Sequence, residues 1–345
     1  MSTKTDLKNL TLEELTALLT ERGEKAFRAR QVYQWMHQKL VTDVAQMSNL
    51  PAALRETLAN EYTLTVLRQE QVQISKQDGT RKYLFALPDG NYIESVWMQY
   101  HHGNSVCISS QVGCRMGCSF CASTLGGLVR SLSAAEMLEQ IYAITRDTQE
   151  RVSNIVVMGI GEPMDNYDNI VRFLRMISDE NGLNISQRNL TVSTCGLVEG
   201  IRRLAEEGLS VTLALSLHAV TDEKRRQIMP VANRYSLAEL MEACDLYFAK
   251  TGRRISFEYA LIGGVNDTAE DAAGLAGLAA ARHCHVNLIP VNPVTERGYK
   301  EPDHSAVVAF KKRLEDLHVT ATIRREMGRD IDGACGQLRR KTMQI

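Results

Sequence analysis

From Ser105 onward the chain alternates short apolar segments with longer amphipathic ones, and this alternation narrows the fold more than any other feature. The strand candidates are Val106 to Ser110, Asn154 to Met158, Leu190 to Ser193, Val211 to Leu217, Ile255 to Leu261, Val286 to Ile289 and a short Ala321 to Arg325. Helical segments separate them, one opened by the capping box Ser133-Ala-Ala-Glu136. Repeated strand-helix units imply a parallel sheet with right-handed crossovers. The expected fold is therefore α/β, a partial, open TIM-like β/α barrel, with a doubly wound sheet as the alternative. The chemically notable residues sit at strand ends. A cysteine-rich loop follows the first strand, Gly161 and Glu162 follow the second, Ser193 ends the third, Ser216 to His218 end the fourth, and Asn292 follows the sixth. Parallel α/β folds build their sites at the carboxyl ends of strands, so these residues should meet on one face.

Two smaller units precede this core. Residues 1–62 read as a helical domain: Thr11-Leu-Glu-Glu14 is a capping box, Gly23 stops the helix, Phe27 to Leu40 is amphipathic and Pro51 opens a third helix. Phe27, Trp35 and Met36 are its expected core. Over residues 63–100 the pattern changes to short strands separated by Asp78-Gly79 and Asp89-Gly90, both hairpin signals, which predicts an antiparallel β extension. Its last strand carries Glu94 among apolar neighbours. Residues 101–328 form the core, and residues 329–345 a glycine-rich tail with Cys335 between Ala334 and Gly336. Small neighbours suit Cys335 to close approach by a substrate rather than to a core.

The loop after the first strand holds Cys114, Cys118 and Cys121 at C-x3-C-x2-C spacing, with Cys107 just upstream. A cubane iron-sulfur cluster is normally held by four thiolates, so three leave one iron open to a ligand that is not protein. Structural zinc normally has four protein ligands, and no second cysteine pair follows. His101 and His102 could complete a zinc site, which keeps a zinc-stabilised RNA-binding protein as an alternative. Gly159-Ile-Gly-Glu-Pro163 lacks the third glycine and acidic partner of a dinucleotide loop. Its glycines let backbone approach a ligand, and Glu162 can accept hydrogen bonds from an ammonium group.

Composition sets outer bounds. A chain of 345 residues, 44% of them apolar, buries a large core and suits one large domain with a smaller one. It has no run of about 18 apolar residues, and its first residues lack the apolar stretch of a secretory signal, so no membrane association and a cytoplasmic location are expected. Eight cysteines in a reducing compartment point to metal ligands, catalytic thiols or core residues. The net charge of −1 places any nucleic-acid surface in local clusters, of which Arg253-Arg254, Lys224-Arg225-Arg226, Arg324-Arg325 and Arg339-Arg340-Lys341 are candidates.

The cysteine spacing, together with Cys107-Ile-Ser-Ser-Gln, Met158-Gly-Ile-Gly-Glu-Pro163, Ser193-Thr-Cys-Gly196, Ser216-Leu-His218, Asn287 to Pro293 and Asp330 to Leu338, resembles the RlmN/Cfr family of the radical S-adenosylmethionine (SAM) superfamily. The resemblance covers nearly the whole chain. It implies one [4Fe-4S] cluster on Cys114, Cys118 and Cys121, with SAM held by Gly161, Glu162, Ser193, Ser216, Leu217, His218 and Asn292. It implies methylation of carbon 2 of an adenine in 23S rRNA and in tRNA, or carbon 8 if the chain is Cfr-like. Two SAM are used per turnover. One methylates Cys335; the other is cleaved to a radical that activates the S-methyl group for addition to the base. Cys107 then resolves the Cys335-RNA adduct, Glu94 or Cys107 takes the ring proton, and a Cys107-Cys335 disulfide is left for reduction. The resemblance also assigns RNA binding to the N-terminal domain, and implies a one-electron donor such as flavodoxin or ferredoxin. A monomer is expected.

Overall fold

The computed structural model describes residues 4–101, 103–292, 297–325, 327–331, 336, 338–339 and 342. Three helices come first: α1 (Leu12–Glu21), α2 (Ala26–His37) and α3 (Ala52–Glu61). The Thr11/Glu14 capping box is formed in both directions, and Pro51 directly precedes α3. Met36 is wholly buried, but Phe27 is 51% exposed and Trp35 only partly covered, which corrects the expected core. Phe27 lies at the surface and Trp35 packs one side against the core, each ring with a cation over it, Arg28 over Phe27 and Lys39 over Trp35.

Strands β1 (Arg68–Ile74), β2 (Arg81–Ala86) and β3 (Tyr92–Tyr100) follow as antiparallel neighbours, with the two Asp-Gly turns between them. They are not a separate sheet. β3 pairs antiparallel with β4 (Gly103–Cys107), which begins the parallel run. β5 (Gln111–Gly113) and β6 (Leu128–Ser131) make a two-stranded neck at the base of the cysteine loop. Then strands and helices alternate: α4 (Ala134–Thr148), β7 (Val152–Val157), α5 (Tyr167–Ile177), β8 (Leu190–Thr194), α6 (Val198–Glu206), β9 (Thr212–Ser216), α7 (Asp222–Ile228), α8 (Leu237–Thr251), β10 (Ser256–Leu261), α9 (Ala269–Ala280), β11 (His285–Pro290), α10 (His304–Asp316) and β12 (Ala321–Ile323).

Among the described residues the main sheet has ten strands in the order β1-β2-β3-β4-β7-β8-β9-β10-β11-β12, with β1 and β12 unpaired to each other. Each step from β4 to β12 is parallel and moves in one direction, as in a barrel, without the reversal of a doubly wound sheet. The open α/β barrel read from the alternation is the observed fold.

One apolar core continues from Leu7 into the barrel. The helical unit is seated on α4 and α5 by polar contacts, those to α4 centred on the buried Glu139. Lys8 Nζ lies 2.7 Å from Glu139 Oε2, both without exposed surface, and also donates to the Thr65 carbonyl. Arg146 pairs with the same Glu139 carboxylate, Arg172 pairs with Glu14, and His37 Nδ1 lies 2.8 Å from the Tyr142 hydroxyl. Among the described residues no helix is long and apolar enough to cross a membrane.

Candidate active site

The cysteine loop is closed at its neck where Gly113 meets Gly127. A side chain on Gly113 would lie 1.9 Å from the Gly127 carbonyl oxygen, and the Cys114 N–H donates to that same oxygen at 2.9 Å. Inside the loop the Cys121 N–H donates to the Cys118 carbonyl, and Thr124 Oγ1 donates to the Cys118 and Cys121 carbonyls. The far side is pinned to the barrel, because the Ser119 N–H donates to the Ile228 carbonyl at 2.9 Å and Gly117 sits against Pro230. Burial pushes the Cys114 thiol up to about 12, with Cys121 nearby adding to the rise. Burial pushes Cys118 higher still, again reinforced by Cys121 and then Cys114.

Cys121 raises both Cys114 and Cys118, and Cys114 raises Cys118, so the three thiols lie close together. Among the described residues, however, no three His, Cys, Asp or Glu side chains converge on a single ion. Three thiols on one loop match three corners of an iron-sulfur cluster, whereas structural zinc takes four protein ligands. His101 does not complete it. It lies in the turn before β4, a full strand from the loop that follows β4, and His102 lies outside the described residues.

The loop borders a cavity of about 590 Å³ at the carboxyl ends of the strands. Cys107, Cys121, Ser193, Ser216, His218 and Asn292 all line it, so the convergence read from strand ends is present. His218 has a left-handed backbone, φ 56°, and its Nδ1 accepts from the Ala260 N–H at 2.8 Å. A backbone N–H must donate, so Nε2 carries the ring proton of the neutral form. Burial, with Arg225 adding, depresses its pKa to about 3, which keeps the ring neutral.

Gly161, Glu162 and Leu217 stand behind the cavity wall rather than on it. Gly161 has φ 112°, and a side chain there would strike Gln111 and Ser110. Glu162 is 3% exposed; its Oε1 accepts from the Met164 N–H and its Oε2 from the Cys195 N–H at 2.8 Å, joining the ends of β7 and β8. Burial raises its pKa against those donors.

Glu94 also lies off the cavity. Lys82 Nζ is 2.7 Å from Glu94 Oε2, which accepts from the Gly336 N–H at 2.7 Å, and Oε1 accepts from the Arg339 N–H at 2.5 Å. The tail is thus fastened to β3. Gly336 rests against Ala122 and Ser123, immediately after the last cluster cysteine. Cys335 itself lies outside the described residues. No disulfide is present among the described cysteines, and the expected Cys107-Cys335 bond falls on a residue outside them.

Sequence reasoning missed several polar groups. Glu258 on β10 lines the cavity, 5% exposed, with Ser256 and Asn287 donating to its carboxylate, and burial raises its pKa. A carboxylate within the apolar strand Ser256–Leu261 was the available signal, because parallel strands are covered on both faces. The basic clusters separate sharply. Arg324 and Arg325 line the cavity mouth. Arg253 and Arg254 precede β10 and so sit at the opposite end of the sheet. Lys224 is paired with Asp271 and Arg225 has no exposed surface, so that run is not a basic patch. Arg339 is buried, while Arg340 and Lys341 lie outside the described residues.

With this geometry in place, relatives can be compared. A protein of Lachnoclostridium phytofermentans described as a probable dual-specificity RNA methyltransferase RlmN is 61% identical over 337 residues, covering 98% of this chain and 95% of that protein. The chain belongs to the RlmN family. A Geobacillus kaustophilus relative of the same description is 53% identical, covering 96% and 92% of the two chains. The family model for the ribosomal RNA large subunit methyltransferase N-terminal domain matches residues 5–64, and that for the radical SAM superfamily residues 108–276. A crystal structure of a radical SAM methyltransferase from Sphaerobacter thermophilus superposes with a TM-score of 0.92 at 43% identity, covering 96% of this chain and 98% of that one. Membership in this superfamily implies a [4Fe-4S] cluster and SAM.

Proposed function

We propose that this RlmN-family chain is a cytoplasmic, monomeric methyltransferase that acts on carbon 2 of an adenine in 23S rRNA and in tRNA. The observation that carries the reading is the meeting of Cys107 and Cys121 with Ser193, Ser216, His218 and Asn292 around one cavity. Cys114, Cys118 and Cys121 would hold a single [4Fe-4S] cluster through three thiolates, leaving one iron for SAM. Bound there, cluster and SAM supply one-electron chemistry, with the electron coming from a flavodoxin or ferredoxin. A second SAM supplies the methyl group to Cys335.

The chain's residues do the rest. Gly161 and Glu162 serve the methionine part of SAM from behind the wall, Gly161 by leaving room for Gln111 and Ser110 and Glu162 by joining the ends of β7 and β8. Ser193, Ser216 to His218 and Asn292 orient the nucleoside part, His218 offering only a neutral Nε2–H. Cys335 carries the methyl group and joins transiently to the RNA base. Cys107 then attacks the Cys335 sulfur, releases the product and forms a disulfide that a thiol reductant reopens. Before that attack the ring proton passes to Glu94 or Cys107, and in the second case Cys107 gives it up to solvent so that it attacks as a thiolate. With the tail fastened as described, Glu94 is occupied by three donors, so base duty there requires Gly336 and Arg339 to move away.

The tail, residues 329–345, carries Cys335 and is fastened through Gly336 beside the cysteine loop, while Arg324 and Arg325 meet the RNA backbone at the cavity mouth. The helical unit, residues 1–62, is an accessory RNA-binding domain, supported by Phe27 and Trp35 lying beneath Arg28 and Lys39. The adenine must be unpaired or splayed to reach such a cavity. The test is nucleoside mass analysis of RNA incubated with the anaerobically reconstituted enzyme, SAM and reductant. Carbon-2-methyladenosine is expected from the parent and none from Cys335→Ala. Methyl at carbon 8, or product from the alanine variant, would sink the reading.

A further inference from the structure

Arg225 is the largest fully buried side chain of the described residues. It lies on α7, whose last residue, Ile228, accepts the Ser119 N–H from inside the cysteine loop. Its Nε donates to the Leu217 carbonyl at 3.2 Å and one terminal nitrogen, Nη2, donates to the Cys195 carbonyl at 2.5 Å. These carbonyls belong to the turns after β9 and β8, the turns that carry Ser216 to His218 and Ser193. The other terminal nitrogen, Nη1, is buried with no hydrogen-bond partner among the described residues.

An arginine stays charged in proteins, and an uncompensated buried charge costs several kcal/mol. No carboxylate pairs with it among the described residues. Of the two acids on its own helix, Asp222 spends Oδ1 on the Leu237 N–H and Glu223 is exposed. The groups of opposite charge type that act on the guanidinium are first the thiols Cys195 and Cys118, and after them Asp222 and Cys244. Arg225 is not among the residues lining the SAM cavity, so it stands behind the wall, on the cluster side.

We infer that Arg225 is a built-in counter-charge for the cluster, a positioning residue that offsets the thiolate and cluster charge through Cys118 while its fork ties together the two turns that hold SAM. The inference rests on the proposed cluster chemistry. Reduction adds one electron, and so one negative charge, from an external one-electron donor. A fixed positive charge beside Cys118 favours that reduced state.

The test is an anaerobic redox titration of the reconstituted cluster, followed by electron paramagnetic resonance, with iron and sulfide content measured alongside. Parent, Arg225→Gln and Arg225→Lys are compared without substrate. Arg225→Gln is expected to show at least a tenfold lower reduced-to-oxidised ratio at a fixed potential, about 59 mV for a one-electron couple. Arg225→Lys keeps the charge and should stay within about twofold of the parent, a bound set well inside that tenfold step. A folded Arg225→Gln that fails to load its cluster while Arg225→Lys loads also supports the charge assignment. A loaded Arg225→Gln with an unchanged ratio overturns it. So does failure of both variants to load, since the fork's carbonyl ties alone would then account for the residue. A parent that binds no iron or sulfide takes the proposed function down as well, and so separates the two failures.

Discussion

Lys8 and Arg225 both lie without exposed surface, yet the protein surrounds them in opposite ways. Lys8, in the seam between the helical unit and α4, has the Glu139 carboxylate at 2.7 Å and the Thr65 carbonyl at 2.8 Å. Arg225, beneath the cysteine loop, has two carbonyls and no paired acid. A seam that only joins two units can carry its own counter-ion, because the charge needed never changes. Beneath the loop, negative charge comes with deprotonated thiols and a metal cluster, so a carboxylate placed there beforehand would compete with it. Buried charge is costly in either place. The difference is whether the compensating charge is part of the chain.

The seam gives the largest expected effect. Lys8→Met strands part of the Glu139 charge and should lower stability by about 3–5 kcal/mol in urea unfolding. Adding Glu139→Leu should recover most of that loss; strictly additive losses would show that the pair is not what holds the seam. The tail anchor comes next. Glu94→Gln removes charge-assisted acceptance from Gly336 and Arg339, worth about 1.5–3 kcal/mol. Hydrogen exchange at those two amides should speed up by about ten- to a hundredfold, since each 1.4 kcal/mol is a factor of ten. Unchanged exchange would mean that Glu94 does not fasten the tail.

Acid supplies a third perturbation, which reaches both regions. Burial depresses His37 in the seam and His218 at the cavity to about 3 from the ordinary 6.5. Only the unfolded chain takes up protons at these rings between those values, so stability is fully present above pH 6.5 and falls as pH drops toward 3. The expected loss is about 1.4 kcal/mol per pH unit for each ring. Replacing His37 by Phe should flatten part of that slope, and an unaltered slope would rule the ring out as its source. The smallest effect belongs to Arg225. In metal-free protein Arg225→Met should shift stability by no more than about 1 kcal/mol, because it removes an uncompensated charge along with two hydrogen bonds. A loss as large as that of Lys8→Met would erase the contrast between the two sites.

Much of the fold could be read from the sequence because it rests on local rules. Thr11/Glu14 and Ser133/Glu136 form the caps their spacing announced, and Pro51 opens its helix. Each strand candidate from Ser105 onward has an observed counterpart, and a parallel, one-directional strand order puts the cysteine loop, Ser193, Ser216, His218 and Asn292 on one face. Spacing along the chain carries these features, since period, cap and strand end are properties of a few neighbouring residues.

Tertiary packing decided where the long polar side chains went. Arg225 and Arg226 are adjacent and chemically identical, yet one is wholly buried and the other exposed. Nothing in Lys224-Arg225-Arg226 distinguishes them until the turns after β8 and β9 fold over α7. Glu94 likewise reads as one carboxylate on a strand until the tail, more than two hundred residues later, delivers the Gly336 and Arg339 N–H groups to it. Phe27 looks like core by its apolarity but lies on the surface. The sequence by itself determined which elements form and which chemistry they carry to the barrel mouth. Only the folded chain decided which charges are compensated, because the free energy of a charge depends on every group packed around it, however distant in sequence.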